Sequence, residues 1–453
     1  MYLLLKSLFR IFYFIYYKIA IKGNENIPNN KAIIFAPNHV NGFIDPITVA
    51  IIIPMKVRFF ARGDVFKGRL VKWALNSINI SPMYRMQEGY SEVKKNDKSF
   101  EECRNLLANN KALLLFPEAI CVQQKKLQPL KKGLARILFQ TEELFDFKKD
   151  VLVVPVGLNY SDPKNFGSKL FVNFGSAISI SNFEKDYRQD KVRTINDFTK
   201  HLEQEMKKLI ITVNNTENEE LLQGIIEICL DQWMNEKNYK LKNLEKQFIV
   251  SKEIAEMINF IALENPNAIE SLKKLIFPYI KDLENLKLQD NLLRPETINK
   301  MNPQKHFLDF FITCLGMPIY IIGLAVNYPP YYVSKNFTNK KVKKAEFFAS
   351  IYLNMSMFLW LLYYVIQLFF VAFLFRSKMA LLAFAIFTPI TGFFLLRFHS
   401  KMTQTFGRWR LFRLVLKEKN TIEQLIKVRM QIIIEIDLAK EKYRRGIKNN
   451  FSE

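Results

Sequence analysis

The stretch Ala36-Pro37-Asn38-His39-Val40-Asn41-Gly42-Phe43-Ile44-Asp45-Pro46-Ile47 puts one of the chain's four histidines in a polar turn, six residues ahead of an aspartate. A neutral imidazole is the best side-chain general base near neutral pH. A carboxylate beside it would set its tautomer and stabilise the imidazolium formed on proton uptake. Asn41 and Gly42 permit a turn tight enough to bring Asp45 back onto His39. The sequence contains no G-x-S-x-G elbow, no H-E-x-x-H and no P-loop. A hydroxyl activated by His39 would therefore belong to a substrate rather than to the protein. The same residues also admit an ordinary structural reading. Asp followed by Pro at the head of an apolar run is a helix N-cap with proline at the first helical position.

The turn needs elements on both sides, and the sequence supplies them. Apolar runs at 32–37, 57–61, 112–117, 151–160 and 169–175 read as strands, with helix-patterned stretches between them, such as 88–109 and 131–147. That rhythm predicts an α/β domain over 23–185 with a mostly parallel sheet flanked by helices. Over 186–306 glycine nearly disappears and Lys, Glu, Asn and Leu dominate, which predicts a helical insert.

Beyond the insert the chain turns apolar. Residues 347–375 carry no charge, and 379–396 form a second uncharged run after Arg376-Ser377-Lys378. A span needs about 20 apolar residues, so 336–400 reads as a transmembrane hairpin. The run 310–333 is interrupted by Pro318, Pro329 and Pro330, and 307–335 is read as a re-entrant or interfacial segment. If only the hairpin crosses, the basic loop 335–344 and the basic helical tail 401–453 stay on the side of the α/β domain, as the positive-inside rule prefers. At the other end, the apolar residues 1–22 are interrupted by Lys6, Arg10 and Lys18. They fit a helix lying in the membrane interface, the alternative being an amphipathic core helix. The reading is an integral membrane protein with its α/β domain facing the cytoplasm.

Composition points the same way. The 453 residues have a formal charge of +23, are 49% hydrophobic and include 40 phenylalanines. A basic, aromatic-rich, apolar chain suits an anionic lipid surface. No nucleic-acid-binding fingerprint is present, and none is expected as a partner. The four cysteines, Cys103, Cys121, Cys229 and Cys314, lack metal-site or redox spacing and read as reduced thiols.

Several ordered blocks together resemble the glycerolipid acyltransferase family. Asn38-His39 and Asp45 match its first motif, here with five intervening residues, as in the glycerol-3-phosphate acyltransferase-like branch. Ile80-Ser81-Pro82-Met83-Tyr84-Arg85 stands where a second motif ends in arginine. Phe116-Pro117-Glu118 stands where the family has Phe-Pro-Glu-Gly. The run from Leu127 to Arg136 matches Leu-x-Pro-x-Lys-x-Gly-x-Ala-Arg, Val154-Pro155-Val156-Gly157 matches the fourth block, and Gly23 to Pro28 matches the usual lead-in. Two departures are visible: Ala119 replaces the glycine, and Ile120-Cys121-Val122 replaces the Thr-Arg-Ser of many phosphate-binding members.

The resemblance implies transfer of an acyl chain from a thioester donor, acyl-CoA or acyl carrier protein, to a hydroxyl of a phosphorylated glycerol acceptor, with no metal or bound cofactor. It implies His39 as general base and Asp45 as its orienting carboxylate. Asn38, Arg85, Glu118 and Lys131 would bind substrate, with Arg85 and Lys131 on the phosphate. Taken singly, Arg85 also reads as a surface arginine and Glu118 as a polar residue ending a buried strand. The lost motif arginine leaves open another lipid acceptor, such as an aminolipid, and a non-catalytic lipid-binding protein is the remaining alternative.

Overall fold

A computed structural model describes residues 2–83, 96–299 and 303–450. The chain forms two compact units. The first comprises Met1–Thr212 with Lys242–Lys252 and Lys344–Ser350. Its elements run α1 (Tyr2–Tyr16), β1 (Lys18–Lys22), β2 (Ile33–Pro37), α2 (Ile44–Ile52), β3 (Val57–Arg62), α3 (Arg69–Ser77), β4 (Ile80–Met83) and α4 (Asn96–Ala108). They continue with β5 (Ala112–Leu114), α5 (Gly133–Leu144), β6 (Leu152–Tyr160), β7 (Lys169–Phe174), β8 (Ile178–Ser179), α6 (Glu184–Gln189) and α7 (Lys191–Leu209).

The sheet has the order β1-β7-β6-β2-β5-β3-β4, with β8 also pairing β6. The pairs β1–β7, β2–β5, β2–β6, β3–β4 and β3–β5 are parallel, while β6 pairs antiparallel with β7 and β8. The predicted mostly parallel α/β sheet is therefore what forms. β2 lies at its centre and is buried along its whole length, which is why IIFAP reads as a continuous apolar run rather than an alternating one. Ile34 and Ala36 join Leu113, Val153, Leu138, Phe198, Leu202 and Met206 in one core cluster. Phe35 instead packs edge-on against Phe174, with ring centroids 6.3 Å apart.

The helix expected over 1–22 ends at Tyr16, and Lys18–Lys22 is a strand pairing in register with Lys169–Asn173. The edge of β7 supplies hydrogen bonds that a lone five-residue run could not find. In α1, Tyr13 and Tyr16 are buried while Leu3, Leu4, Ile11 and Phe14 are exposed. The first unit runs past the expected boundary at 185, because α7 contributes Phe198, Leu202 and Met206 to the sheet's core. Asp190 caps α7 by accepting from the Arg193 amide at 2.9 Å.

The second unit is helical among the described residues: Val213–Leu241, Glu253–Lys343 and Ile351–Glu453. The helices of the remaining chain are α8 (Glu219–Glu236), α9 (Leu244–Glu264), α10 (Pro266–Asn285), α11 (Pro295–Asn299), α12 (Pro303–Asn327), α13 (Pro329–Lys341), α14 (Ala345–Phe375), α15 (Lys378–Lys417) and α16 (Lys419–Asn450). Three stretches are long and apolar enough to cross a membrane: His306–Asn327, Ala345–Phe375 and Lys378–Lys417. Pro318, expected to interrupt its run, lies inside α12. A proline removes one backbone bond from a helix, and the neighbouring turns hold it together. Likewise α15 runs unbroken through the boundary expected at 400.

α12 and α15 pack antiparallel. Thr313 meets Thr405 at 3.4 Å and Asn327 meets Thr391 at 3.2 Å. Gly316 faces Phe398 so closely that a Cβ there would come within 2.2 Å of the ring, the small-residue approach that apolar helices use. The C-terminal end of α12 is held halfway along α14. Trp360 donates to the Asn327 side chain at 3.1 Å, and Gln367 to the Val326 carbonyl at 3.0 Å.

A buried ion pair ties α16 into this unit. Arg429 donates through Nε to Asp290 Oδ1 at 2.8 Å and through Nη2 to Oδ2 at 3.0 Å, and the Tyr279 hydroxyl adds a bond of 2.7 Å. Both charges are buried, so removing one strands the other. Asp290→Ala is therefore expected to cost about 3–5 kcal/mol, read as a large fall in the unfolding temperature of the full-length protein in detergent. Adding Arg429→Met to it should recover part of the loss. A double variant no more stable than the single one would show that the stranded charge is not the cause.

Candidate active site

The strands β2, β3, β4 and β5 are mutually parallel, so their C-terminal ends share one edge, where open α/β sheets place ligands. His39 follows β2 by two residues and Glu118 follows β5 by four. The apolar strands fix where each loop starts, and hydrogen bonds fix where it goes.

Asp45 organises the first loop. It lies in the first turn of α2 and is not the helix N-cap that its Asp-Pro sequence suggests. Its carboxylate turns backward: Oδ2 accepts from the Val40 amide at 2.8 Å and the Asn41 amide at 2.7 Å, and meets His39 Nδ1 at 3.0 Å. Oδ1 accepts from the Tyr160 hydroxyl at 2.8 Å. Asp45 is fully buried, and these four donors compensate the charge that burial would otherwise penalise. Because the carboxylate only accepts, Nδ1 carries the imidazole proton. Nε2 is then left with its lone pair, the atom a general base uses.

The ring is held from the side as well. His39 stacks on Phe116 with centroids 3.8 Å apart and planes 20° apart. The imidazole remains 13% exposed beside a carboxylate with no exposure. Tyr160 is itself partly buried, and burial together with the Asp45 charge pushes its phenol well above its ordinary pKa, so it stays a donor. Tyr17 packs edge-on against it at 5.7 Å.

Asn38 and Glu118, expected to bind substrate, have their polar atoms engaged by the protein. Asn38 accepts from the Leu158 amide at 2.7 Å and donates to the Leu158 carbonyl at 3.2 Å, stitching the end of β2 to β6. Glu118 accepts from the His39 amide at 2.7 Å through Oε1 and from the Gln128 amide at 2.7 Å through Oε2. It therefore braces two loops against each other. Burial pushes its acid up to about 7, against the pull of the Gln128 and His39 amides, with Asp45 adding to the push. Lys131 is exposed, and its amide donates to the Pro117 carbonyl at 2.8 Å, so it stands at the same edge as Glu118. Arg85 lies outside the described residues.

Three participants escape the motif reading. Phe116 was visible only as part of a block. Tyr160 ends a strand whose register against β2, Pro37 opposite Val156, carries it to the level of the loop. Ser350, discussed below, gives no sequence signal at all. Cys121 occupies the place of the family's arginine. Burial raises its thiol pKa, and the charges of Asp45, Glu346 and Glu118 raise it further, so its surroundings are acidic. Among the described residues, no group of three or more His, Cys, Asp or Glu side chains is placed to hold a metal ion.

Residues 18–159 match the Acyltransferase family. A chloroplastic 1-acyl-sn-glycerol-3-phosphate acyltransferase of Arabidopsis thaliana is 25% identical over 144 residues, which cover 32% of this chain and 36% of that protein. Glycerol-3-phosphate O-acyltransferase 1 of Saccharomyces cerevisiae is 25% identical over 242 residues, covering 53% of this chain and 31% of its own. The crystal structure of the 1-acyl-sn-glycerophosphate acyltransferase of Thermotoga maritima covers 45% of this chain and 76% of that one, at 18% identity and a TM-score of 0.34. The chain thus spans about a third of the length of these two curated relatives. His39, Asp45, Glu118 and Lys131 all fall inside the residues that match the Acyltransferase family, and over that region the chain is similar to glycerolipid acyltransferases.

Proposed function

We propose that the protein is a membrane-bound acyltransferase that moves a fatty acyl chain from acyl-CoA or acyl carrier protein to a hydroxyl of glycerol-3-phosphate or lysophosphatidic acid. The observation that carries this reading is the contact of His39 Nδ1 with Asp45 Oδ2 at 3.0 Å, inside the matched domain. In the proposed reaction His39 Nε2 takes the proton of the acceptor hydroxyl. The oxygen attacks the thioester carbonyl, an ester C–O bond forms and the C–S bond breaks. The departing thiolate then takes the proton back from the imidazolium. Asp45 stabilises that imidazolium, and Tyr160 with the Val40 and Asn41 amides keeps Asp45 in place. Lys131 and Arg85 are assigned to the acceptor's phosphate, and the reaction calls on no metal or bound cofactor.

Cys121, standing where the family motif has an arginine, leaves room for a second reading of the acceptor, an amine-bearing lipid. Incubating the full-length protein with labelled acyl thioester and a panel of acceptors decides between them. Acylation of glycerol-3-phosphate or lysophosphatidic acid supports the first reading, and acylation of an aminolipid alone supports the second.

For the membrane arrangement we propose two spans, α14 and the apolar first half of α15, with α12 and α13 as a re-entrant pair. Two features support this. The turn after Asn327 is held near Trp360, about 24 Å short of the hairpin joint at 1.5 Å per helical residue. And α13 must lead back to the start of α14 within three residues of Lys341. The α/β domain, Lys340 and Arg413 then lie on the cytoplasmic side.

Four outcomes are expected. His39→Ala should remove acyl transfer by about 10² to 10⁴ or more without changing expression or membrane association, and full activity would refute the base assignment. Asp45→Asn keeps one acceptor oxygen but loses the charge that sets the tautomer, so turnover should fall about as far. Tyr160→Phe should cost about tenfold, the scale of one hydrogen bond to a charged group. Turnover of this set is read at saturating substrate. Finally, with the native cysteines replaced, single cysteines at Lys340, Ser377 and Arg413 should label from outside intact cells only at position 377. Labelling at 340 and 413 but not at 377 would make α12 a third span.

A further inference from the structure

Every backbone amide from Asn38 to Asp45 has an acceptor. Asn38 donates to the Val156 carbonyl, His39 to Glu118, Val40 and Asn41 to Asp45, and Asp45 to the Asn41 carbonyl. The remaining three amides find their acceptors in one remote place in the sequence. Gly42 donates to the Glu346 carbonyl at 3.0 Å. Phe43 and Ile44 donate to the Ser350 hydroxyl at 3.0 and 3.3 Å. These last two amides open α2, where a helix has no internal partners for its first donors and a side-chain cap normally supplies one. Phe43 provides no such cap; Ser350, fully buried, supplies it from 306 residues away.

A second contact joins the same pair of segments. A Cβ on Gly42 would come within 2.6 Å of the Phe347 ring, and the Phe43 and Phe347 rings sit 5.9 Å apart. Residues Lys344–Ser350 are part of the same compact unit as the sheet. They are also the first turns of α14, the helix that continues as an uncharged apolar run.

We propose that Glu346, Phe347 and Ser350 are positioning residues for the His39–Asp45 loop, so that the opening turns of an apolar helix set the geometry of the general base. The inference rests on the function proposed above. The peptide groups leading up to Asp45 are shared between its own carboxylate and α14. If α14's opening turns let go, the start of α2 loses its cap and Asp45 loses the frame from which it holds His39. Acyl transfer at this site would then depend on the segment at the entrance to the first span as well as on the residues of the family motif.

The test uses full-length protein in detergent or vesicles. Ser350→Ala removes the acceptor for two amides, and Gly42→Ala forces the Phe347 ring aside. For Ser350→Ala, hydrogen exchange should quicken about tenfold at the Phe43 and Ile44 amides, a typical result of removing an acceptor from buried donors. Exchange at Val40 and Asn41 should change less. In both variants kcat should drop about tenfold, with the KM for donor and acceptor within about twofold of the parent and the unfolding temperature nearly unchanged. Parent-like exchange at Phe43 and Ile44, or parent-like kcat in both variants, overturns the inference. His39→Ala in the same assay separates the two failures. If it is inactive while Ser350→Ala is fully active, the function stands and the positioning role falls. If the parent transfers no acyl group to any acceptor, the function falls, and the exchange measurement alone decides the positioning role.

Discussion

A fully buried carboxylate governs the architecture of this site. Asp45 cannot sit inside the protein as an anion unless donors surround it, and four do: two backbone amides, an imidazole and a phenol. That requirement shapes everything nearby. It bends the chain after β2 into a tight turn, so that the amides of Val40 and Asn41 point inward. It fixes the starting point of α2, and it demands that β6 lie beside β2 in the register that delivers Tyr160. The pairing of Asn38 with Leu158 enforces that register with two more hydrogen bonds. The geometry of the His39–Asp45 pair and that of the sheet are here the same set of interactions.

A second buried carboxylate, Glu118, sets the distance between the β2 and β5 loops. Each oxygen is committed to one amide, so protonation would turn one acceptor into a donor facing another donor. With its acid raised to about 7 by burial, the brace is balanced near neutrality between those two states. Lys131 stands in the same loop between β5 and α5 as Glu118.

The helical unit solves a different problem. Its apolar helices expose Phe369, Phe370, Phe373, Met379, Leu382 and Ile386, a surface suited to lipid rather than water. Within such a surface a helix end is costly, because its last carbonyls have no partners. The end of α12 meets this cost with side chains: Asn327 bonds Thr391 and Trp360, and Gln367 bonds the Val326 carbonyl. Away from those helices, Arg429 and Asp290 lock α16 to the helices around it through charge.

Much of this was legible in the residues themselves. The runs at 32–37, 112–117 and 151–160 each contain a strand, because continuous apolar residues suit a sheet covered on both faces. His39, Asp45 and Phe-Pro-Glu could be singled out because their partners lie within a few residues or in a recognisable block. The apolar runs announced themselves by length alone. What local sequence could not decide is anything whose partner is far away. KIAIK becomes a strand only because the edge of β7 is open beside it. Tyr160 reaches Asp45 across 115 residues and Ser350 caps α2 across 306, distances at which no spacing rule operates. Asn38 and Glu118 look like substrate ligands by type, and only the folded chain shows their polar atoms already taken by backbone amides and carbonyls. Sequence determined which groups could do chemistry, since type and periodicity are local properties. Tertiary structure decided which of them are held ready to do it, because a buried polar group takes its role from whatever the fold places within hydrogen-bond reach.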